Sequence, residues 1–457
     1  MAMFAEEKFV PPTVKPPEKQ LPLPALIYRL IRNPIEAWGQ DFYHQPLVEL
    51  QHGSRQTVFV LSSDLIHRVL VAEANNFVKN PVDRRILARA LGNGILLAEG
   101  DDWRWQRRTA APLFRHDVVM DCVPVMAAAA DRLLECWKSD QESAVQPIDR
   151  EMALVTFDVI QETLLKGRNA FDAQLVARNI TSYLQPISWL VAYDFLRLPQ
   201  WMPHPGMFKM RRSARILRQE VLKLVRSRKE DADPADDLLA KLLAAKDSET
   251  GKSMSESLVV DNLLTFLAAG HETTALALTW SLFLIASVPE WQQRVYDEVV
   301  KVAGDNPISA DMINQLQQTQ NVIKESLRLY PPASIVSRQA IGSTEIGNIR
   351  IKKNAIVMMP IFIIHRHYGN WRDPEIFNPD RFAPENDKVR DKFAFMPFGT
   401  GKRSCIGASF AMVEAQVILA TLVRKVQFEI TPETSPKPLL RVTLRPDKGL
   451  PLKIKFR

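Results

Sequence analysis

An apolar run of helical periodicity opens at Leu258 and continues to Ala286, with Pro289 to stop it, and a chain holding such a run must be built around it. Ser253 and Glu256 form a capping box ahead of the run. A helix of about 30 residues is about 45 Å long, enough to cross an entire domain. In its middle stands Ala268-Ala269-Gly270-His271-Glu272-Thr273-Thr274, and glycine, histidine, a charge and two β-branched alcohols are poor choices for a buried helix interior. Two readings are open here: a kink whose polar groups are satisfied internally, or a departure from good helix sequence that serves function. A zinc-protease reading fails, because H-E-x-x-H needs histidine where Ala275 stands.

Helical periodicity dominates most of the remaining chain. Pro11, Pro12, Pro16, Pro17, Pro22 and Pro24 make residues 1–24 an extended arm, laid against the body or partly disordered. Alternating segments around His52-Gly53-Ser54 read as a β-hairpin over 47–61. Blocks at 345–359, turning near Lys352-Lys353-Asn354, and at 442–456 also read as strands. The expected fold is mainly α with small β-sheets at one side. No linker or low-complexity block divides the 457 residues, so one domain over 1–457 is expected.

The net charge is +7, but the basic residues are scattered and lack interleaved aromatics, which argues against nucleic acid and for a docking face toward an acidic protein. No stretch approaches about 18 consecutive apolar residues, so no transmembrane span is expected. Glu6, Glu7 and Lys8 stand where a signal peptide would turn apolar, and three cysteines without pairing pattern suit a reducing compartment. The expectation is a cytoplasmic monomer.

One of those cysteines, Cys405, sits in Phe398-Gly399-Thr400-Gly401-Lys402-Arg403-Ser404-Cys405-Ile406-Gly407. Gly399 and Gly401 allow a tight turn that aims amide groups at the sulfur and holds a thiolate, although a lone cysteine is more often simply buried. A Walker A loop needs glycine at Met396 and a hydroxyl at Arg403, and a dinucleotide fingerprint needs glycine at Ser404. Cys122 and Cys136 lie far upstream, leaving zinc or an iron–sulfur cluster without a ligand set.

The loop matches F-x-x-G-x-R-x-C-x-G at every fixed letter, Phe398, Gly401, Arg403, Cys405 and Gly407, and resembles the haem-binding signature of the cytochrome P-450 superfamily, in its soluble bacterial form. Ala269 to Thr274 match that family's [AG]-G-x-[DE]-T-[TS]. Glu325 and Arg328 match its E-x-x-R, Pro379-Asp380-Arg381-Phe382 its later arginine segment, and Trp103 with Arg107 its W-x-x-x-R. Taken alone, an E-x-x-R is usually a surface ion pair worth about 0–1 kcal/mol.

The resemblance implies the P-450 fold with the long helix crossing a haem b, and Cys405 as axial thiolate. It implies Phe398, Gly401, Arg403 and Gly407 around that ligand, and Trp103, Arg107, Arg403 and Arg338 at the haem propionates. Thr273 and Glu272 would hydrogen-bond dioxygen and relay protons, Gly270 would leave room for it, and Glu325, Arg328 and Arg381 would form a buried structural network. Phe266, Leu267, Ala269, Ile335 and Val336 would line an apolar substrate pocket, with further walls from 80–97, 183–208 and 440–444.

The implied reaction is monooxygenation, with electrons from a separate acidic ferredoxin or flavodoxin served by an NAD(P)H reductase. Lys402, Arg104, Arg108, Arg115, Lys388 and Arg390 are the candidate docking cations. A haem-thiolate peroxygenase or isomerase that does not use dioxygen is the alternative.

Overall fold

The apolar run forms one helix, Glu256–Ser287, of 32 residues and about 48 Å. In this computed structural model, which describes residues 8–19, 21–139, 144–165, 172–199, 201–230, 237–247 and 250–457, the helix stays α-helical through the polar segment. Its N-cap is Ser255, whose hydroxyl accepts from Leu258 N–H at 3.2 Å. The capping box expected from Ser253 does not form: Ser253 bridges Lys246, and Glu256 pairs with Arg226 and Lys229 at 3.3 and 3.0 Å.

Along this helix the core divides. Residues from Val259 to Leu267 pack into one cluster with Ile86, Phe157 and Leu217, and residues from Ala275 to Ala286 into a second with Trp137, Tyr330 and Phe362. The polar segment lies where the two cores part. His271 is turned away toward Phe157, its Nδ1 bonded to the Leu267 carbonyl at 2.7 Å, and burial pushes its pKa down.

The main sheet runs Leu47–His52, Arg55–Val60, Ile356–Met359, Val336–Ala340, Phe77–Lys79 in spatial order, antiparallel except where Arg55–Val60 meets Ile356–Met359. The hairpin expected over 47–61 is thus its edge. The 345–359 block splits, because Thr344–Ile346 and Ile349–Ile351 pair with each other while Ile356–Met359 joins the main sheet. The C-terminal strand Pro451–Phe456 pairs with Val145–Pro147 and Val426–Ile430.

The described part of the proline arm is laid against the body. Tyr330 Oη donates to the Pro12 carbonyl at 2.7 Å and Phe377 N–H to the Phe9 carbonyl at 3.1 Å. The arm ends earlier than expected. Leu23–Arg32 is helical with Pro24 in its first turn, where the missing N–H costs no hydrogen bond. Among the described residues no single helix is long and apolar enough to cross a membrane; Glu256–Ser287 and Pro289–Ala303 satisfy that test only jointly, and they are bent by 112°.

Glu325, Arg328 and Arg381 meet in the core. Arg328 is fully buried, with Nε and Nη2 on the two oxygens of Glu325 at 2.7 and 2.8 Å, Nη1 on the carbonyls of His365 and Pro374, and Nη2 also on that of Ile376. Arg381 Nε lies 3.5 Å from Glu325. His365 carries this network to the cysteine loop: Nδ1 donates to the Arg328 carbonyl at 3.2 Å and Nε2 accepts from Met396 N–H at 3.0 Å. Burial, then the Arg328 charge, pushes His365 down to about 3, which keeps the ring neutral as that pairing requires.

Candidate active site

Cys405 and the polar helix segment line one cavity of about 490 Å³. The loop that carries the thiol turns at Gly401, φ +71°, where a Cβ would stand 2.2 Å from the Leu70 carbonyl oxygen, so only glycine fits. Beyond the turn, Cys405 N–H donates to the Phe398 carbonyl at 2.8 Å. Burial pushes the thiol pKa up and the Gly407 amide draws it back. The sulfur is accessible from the cavity, whose wall it forms.

One rim of the cavity is crowded with cations. Lys79 and Arg338 are partners on adjacent strands, and Arg107 and Arg403 reach in from the helix Gly100–Ala110 and the cysteine loop. Burial, then Arg403 and Arg338, pushes the Lys79 ammonium down to about 8, and burial lowers Arg338 and Arg403 too. Two acids offset part of this charge: Glu99 holds Arg403 at 2.5 Å, and Asp83, raised by burial to about 6, lies beside Lys79 and Arg338.

Trp103 is a platform, with the Arg403 and Arg107 guanidinium carbons 4.0 and 5.7 Å from its ring centroid. Arg107 donates to the Ser404 carbonyl at 2.8 Å. A surplus of half-buried positive charge beside a cavity thiol fits the two carboxylates of a haem. Asp83 falls within the wall expected over 80–97, whereas Lys79 and Glu99 were not expected here; Lys79 meets Arg338 through a long-range strand pairing.

Elsewhere in the cavity lining Thr273 Oγ1 donates to the Ala269 carbonyl at 2.7 Å, and Glu272 Oε1 accepts from Thr443 at 2.7 Å and from Arg445. Thr443 falls within the wall expected over 440–444, whereas Arg445 was not expected at the site. Gly270 lines the cavity, and a Cβ there would stand 2.7 Å from Ile160 Cδ1 on the neighbouring helix Ile148–Leu164, another lining residue.

Phe266, Leu267, Ala269, Ile335 and Val336 all line the cavity. The stretch 183–208 contributes Tyr183 and Leu184 among its described residues, while Trp201 is 77% exposed. Ile160, Leu164, Ile180 and Leu217 are further walls, outside the stretches expected from the sequence.

Beneath the helix, on Ala408–Lys425, Glu414 is buried beside Thr274 with Oε1 lacking a partner among the described residues, and burial pushes its carboxyl up to about 8. The unfolded carboxyl titrates near 4.5, so the fold binds the extra proton between these values and loses stability as pH rises from about 4.5 to about 8. Glu414→Gln should remove that loss, which amounts to at most about 1.4 kcal/mol per pH unit; denaturant midpoints of the two proteins should converge near pH 5 and separate toward pH 8, in favour of the variant.

The expected docking cations are not equivalent. Arg390 is not a surface charge: its side chain is 11% exposed, stacked 4.2 Å over Phe382 and paired with Asp387, because the aromatic cluster around Trp371 draws it in. Arg104, Arg108 and Arg115 each carry an acidic partner, whereas Lys388 and Lys402 are exposed and form no ion pair among the described residues.

The family model "Cytochrome P450" matches residues 33–454. A cytokinin hydroxylase of Arabidopsis thaliana is 33% identical over 382 residues, which cover 80% of this chain and 72% of that protein. Cytochrome P450 4A10 of Mus musculus is 32% identical over 397 residues, covering 81% and 76%. The crystal structure of the cytochrome P450DA heme domain superposes with a TM-score of 0.83 at 22% identity, over 97% of this chain and 98% of that one. The expected bacterial form draws no support from these plant and mouse relatives.

Proposed function

Because this chain belongs to the cytochrome P450 family and is therefore a haem-thiolate monooxygenase, we propose that it oxidises an apolar organic molecule with electrons from a separate protein donor. One observation carries the reading: Cys405 and the pair Glu272–Thr273 line a single cavity whose remaining lining is mostly apolar. When bound, the haem supplies the oxidising chemistry, in which dioxygen, two electrons and two protons leave one oxygen atom in the substrate and one in water.

The protein's own residues do the rest. Cys405 would hold the haem iron through its thiolate, and Lys79, Arg107, Arg338 and Arg403 would hold the haem carboxylates. Phe266, Leu267, Ile335 and Val336 exclude water and orient the substrate. The Thr273 hydroxyl, one turn from Ala269, exchanges its intrahelical hydrogen bond for one into the cavity, and the Glu272 carboxylate passes protons toward it.

An acidic ferredoxin or flavodoxin suits Lys388 and Lys402, and three cysteines without a pairing pattern in the sequence suit the reducing cytoplasm. Lys388→Glu with Lys402→Glu should slow reduction in stopped flow without changing substrate-induced spectral shifts; equal reduction rates would remove these lysines from the docking face.

The reading is tested by supplying an apolar compound panel with NAD(P)H, a ferredoxin and its reductase under ¹⁸O₂. A product carrying one ¹⁸O supports it; products formed only with peroxide and no NAD(P)H would favour the peroxygenase alternative. Thr273→Ala should lower product turnover by about 10²-fold, the low end for a lost proton-transfer group, with Thr273→Ser close to wild type.

A further inference from the structure

The hairpin formed by Pro438–Leu440 and Leu444–Pro446 reaches the active site within the wall expected over 440–444, and carries Arg445 there as well. Leu444 is fully buried and stapled at both backbone groups: its N–H donates to the Pro332 carbonyl at 3.0 Å, and its carbonyl accepts from Trp280 Nε1 at 3.2 Å. Trp280 belongs to the same helix as Glu272. Neighbours on either side of a strand residue point to the opposite face from it, so fixing Leu444 inward sends Thr443 and Arg445 out together on one side.

Both side chains end on the same atom. Thr443 Oγ1 donates to Glu272 Oε1 at 2.7 Å, Arg445 Nη2 donates to that oxygen and also to Thr443 Oγ1, and Glu272 Oε2 accepts nothing among the described residues. The carboxylate is only 15% exposed and Arg445 23%, so this ion pair is shielded from solvent. Val442 and Thr443 line the cavity as well.

We propose that Arg445 and Thr443 are positioning residues for the distal carboxylate: together they grip one oxygen of Glu272, fix its rotamer, and leave the other oxygen as the one that serves the cavity. The hairpin itself does not require the guanidinium, since the Leu444 staples and the Leu440–Leu444 pairing place it. A molecule packed on Val442 and Thr443 bears on the strand that orients the acid. Pocket occupancy and proton supply thus share one element.

The inference rests on the monooxygenase reading, and its test needs neither substrate nor turnover. Carbon monoxide on the reduced holoprotein gives a C–O stretching band that senses the charge facing it. Arg445→Gln should shift or split this band by more than its own width, and Thr443→Val should shift it in the same direction by less. Arg445→Lys should keep one band near the wild-type position. The double variant Glu272→Gln/Arg445→Gln should match Glu272→Gln alone, because Arg445 acts through the carboxylate.

If Arg445→Gln does not load haem, Thr443→Val and Arg445→Lys still decide the matter. Wild-type band positions in Arg445→Gln or in Thr443→Val, or a double variant distinct from Glu272→Gln, would overturn the proposal. A wild-type protein lacking a thiolate-type carbon monoxide spectrum would instead overturn the underlying reading, before any variant is compared.

Discussion

Arg328→Lys should yield little or no folded, haem-loaded protein, although it keeps the charge. All five N–H donors of the Arg328 guanidinium are used, two on Glu325 and three on the carbonyls of His365, Pro374 and Ile376. A lysine offers three donors from one point and cannot span those acceptors. Side chains at 328 and 325 are both 0% exposed, so water cannot replace what is lost.

Breaking a buried pair of this kind costs about 3–5 kcal/mol, against a typical total stability of about 5–15 kcal/mol. Glu325→Ala should behave the same way, leaving Arg328 and Arg381 without their shared carboxylate. Soluble yield, thermal midpoint and haem absorbance per protein measure the effect. A well-folded, fully loaded Arg328→Lys would contradict this account of the network.

Cys405→Ser should fold and lose its function completely. A serine hydroxyl is smaller than the thiol and hydrogen-bonds as well, so the loop with its Phe398 carbonyl contact and its Gly401 turn survives. What vanishes is a soft, electron-rich axial donor, which an alcohol does not replace. The neighbouring cysteines offer no rescue: neither Cys122 nor Cys136 lines the cavity. Product formation should fall below detection while the thermal midpoint of the apoprotein changes by only a few degrees, as expected for a change of about 1 kcal/mol or less.

The long helix and the cysteine loop were legible because local rules govern them. Periodicity 3.6 marks a helix wherever it sits, and Gly401 is required by a contact with Leu70 that no other residue tolerates. The residues of E-x-x-R were legible as a pair, but His365, which links them to Met396, was not, since a lone histidine has no pattern.

Lys79 was hidden for a related reason, its place beside Arg338 being set by pairing between strands some 260 residues apart in sequence. Arg445 was hidden by distance too, lying 173 residues beyond Glu272. Its strand was expected, but which side chain of a short strand meets Glu272 depends on the Leu444 staples. Ser253 shows the converse error, a plausible local motif displaced by Ser255, which lies nearer the first free amide groups.

The central claim is that Cys405 is the axial thiolate of a haem held in this cavity. The absorption spectrum of the reduced carbon monoxide complex tests it most directly. Wild-type protein should show the strongly red-shifted Soret band that a thiolate ligand produces, and Cys405→Ser should not. A red-shifted band that persists in Cys405→Ser, or a wild-type complex without one after full reduction, would contradict the account.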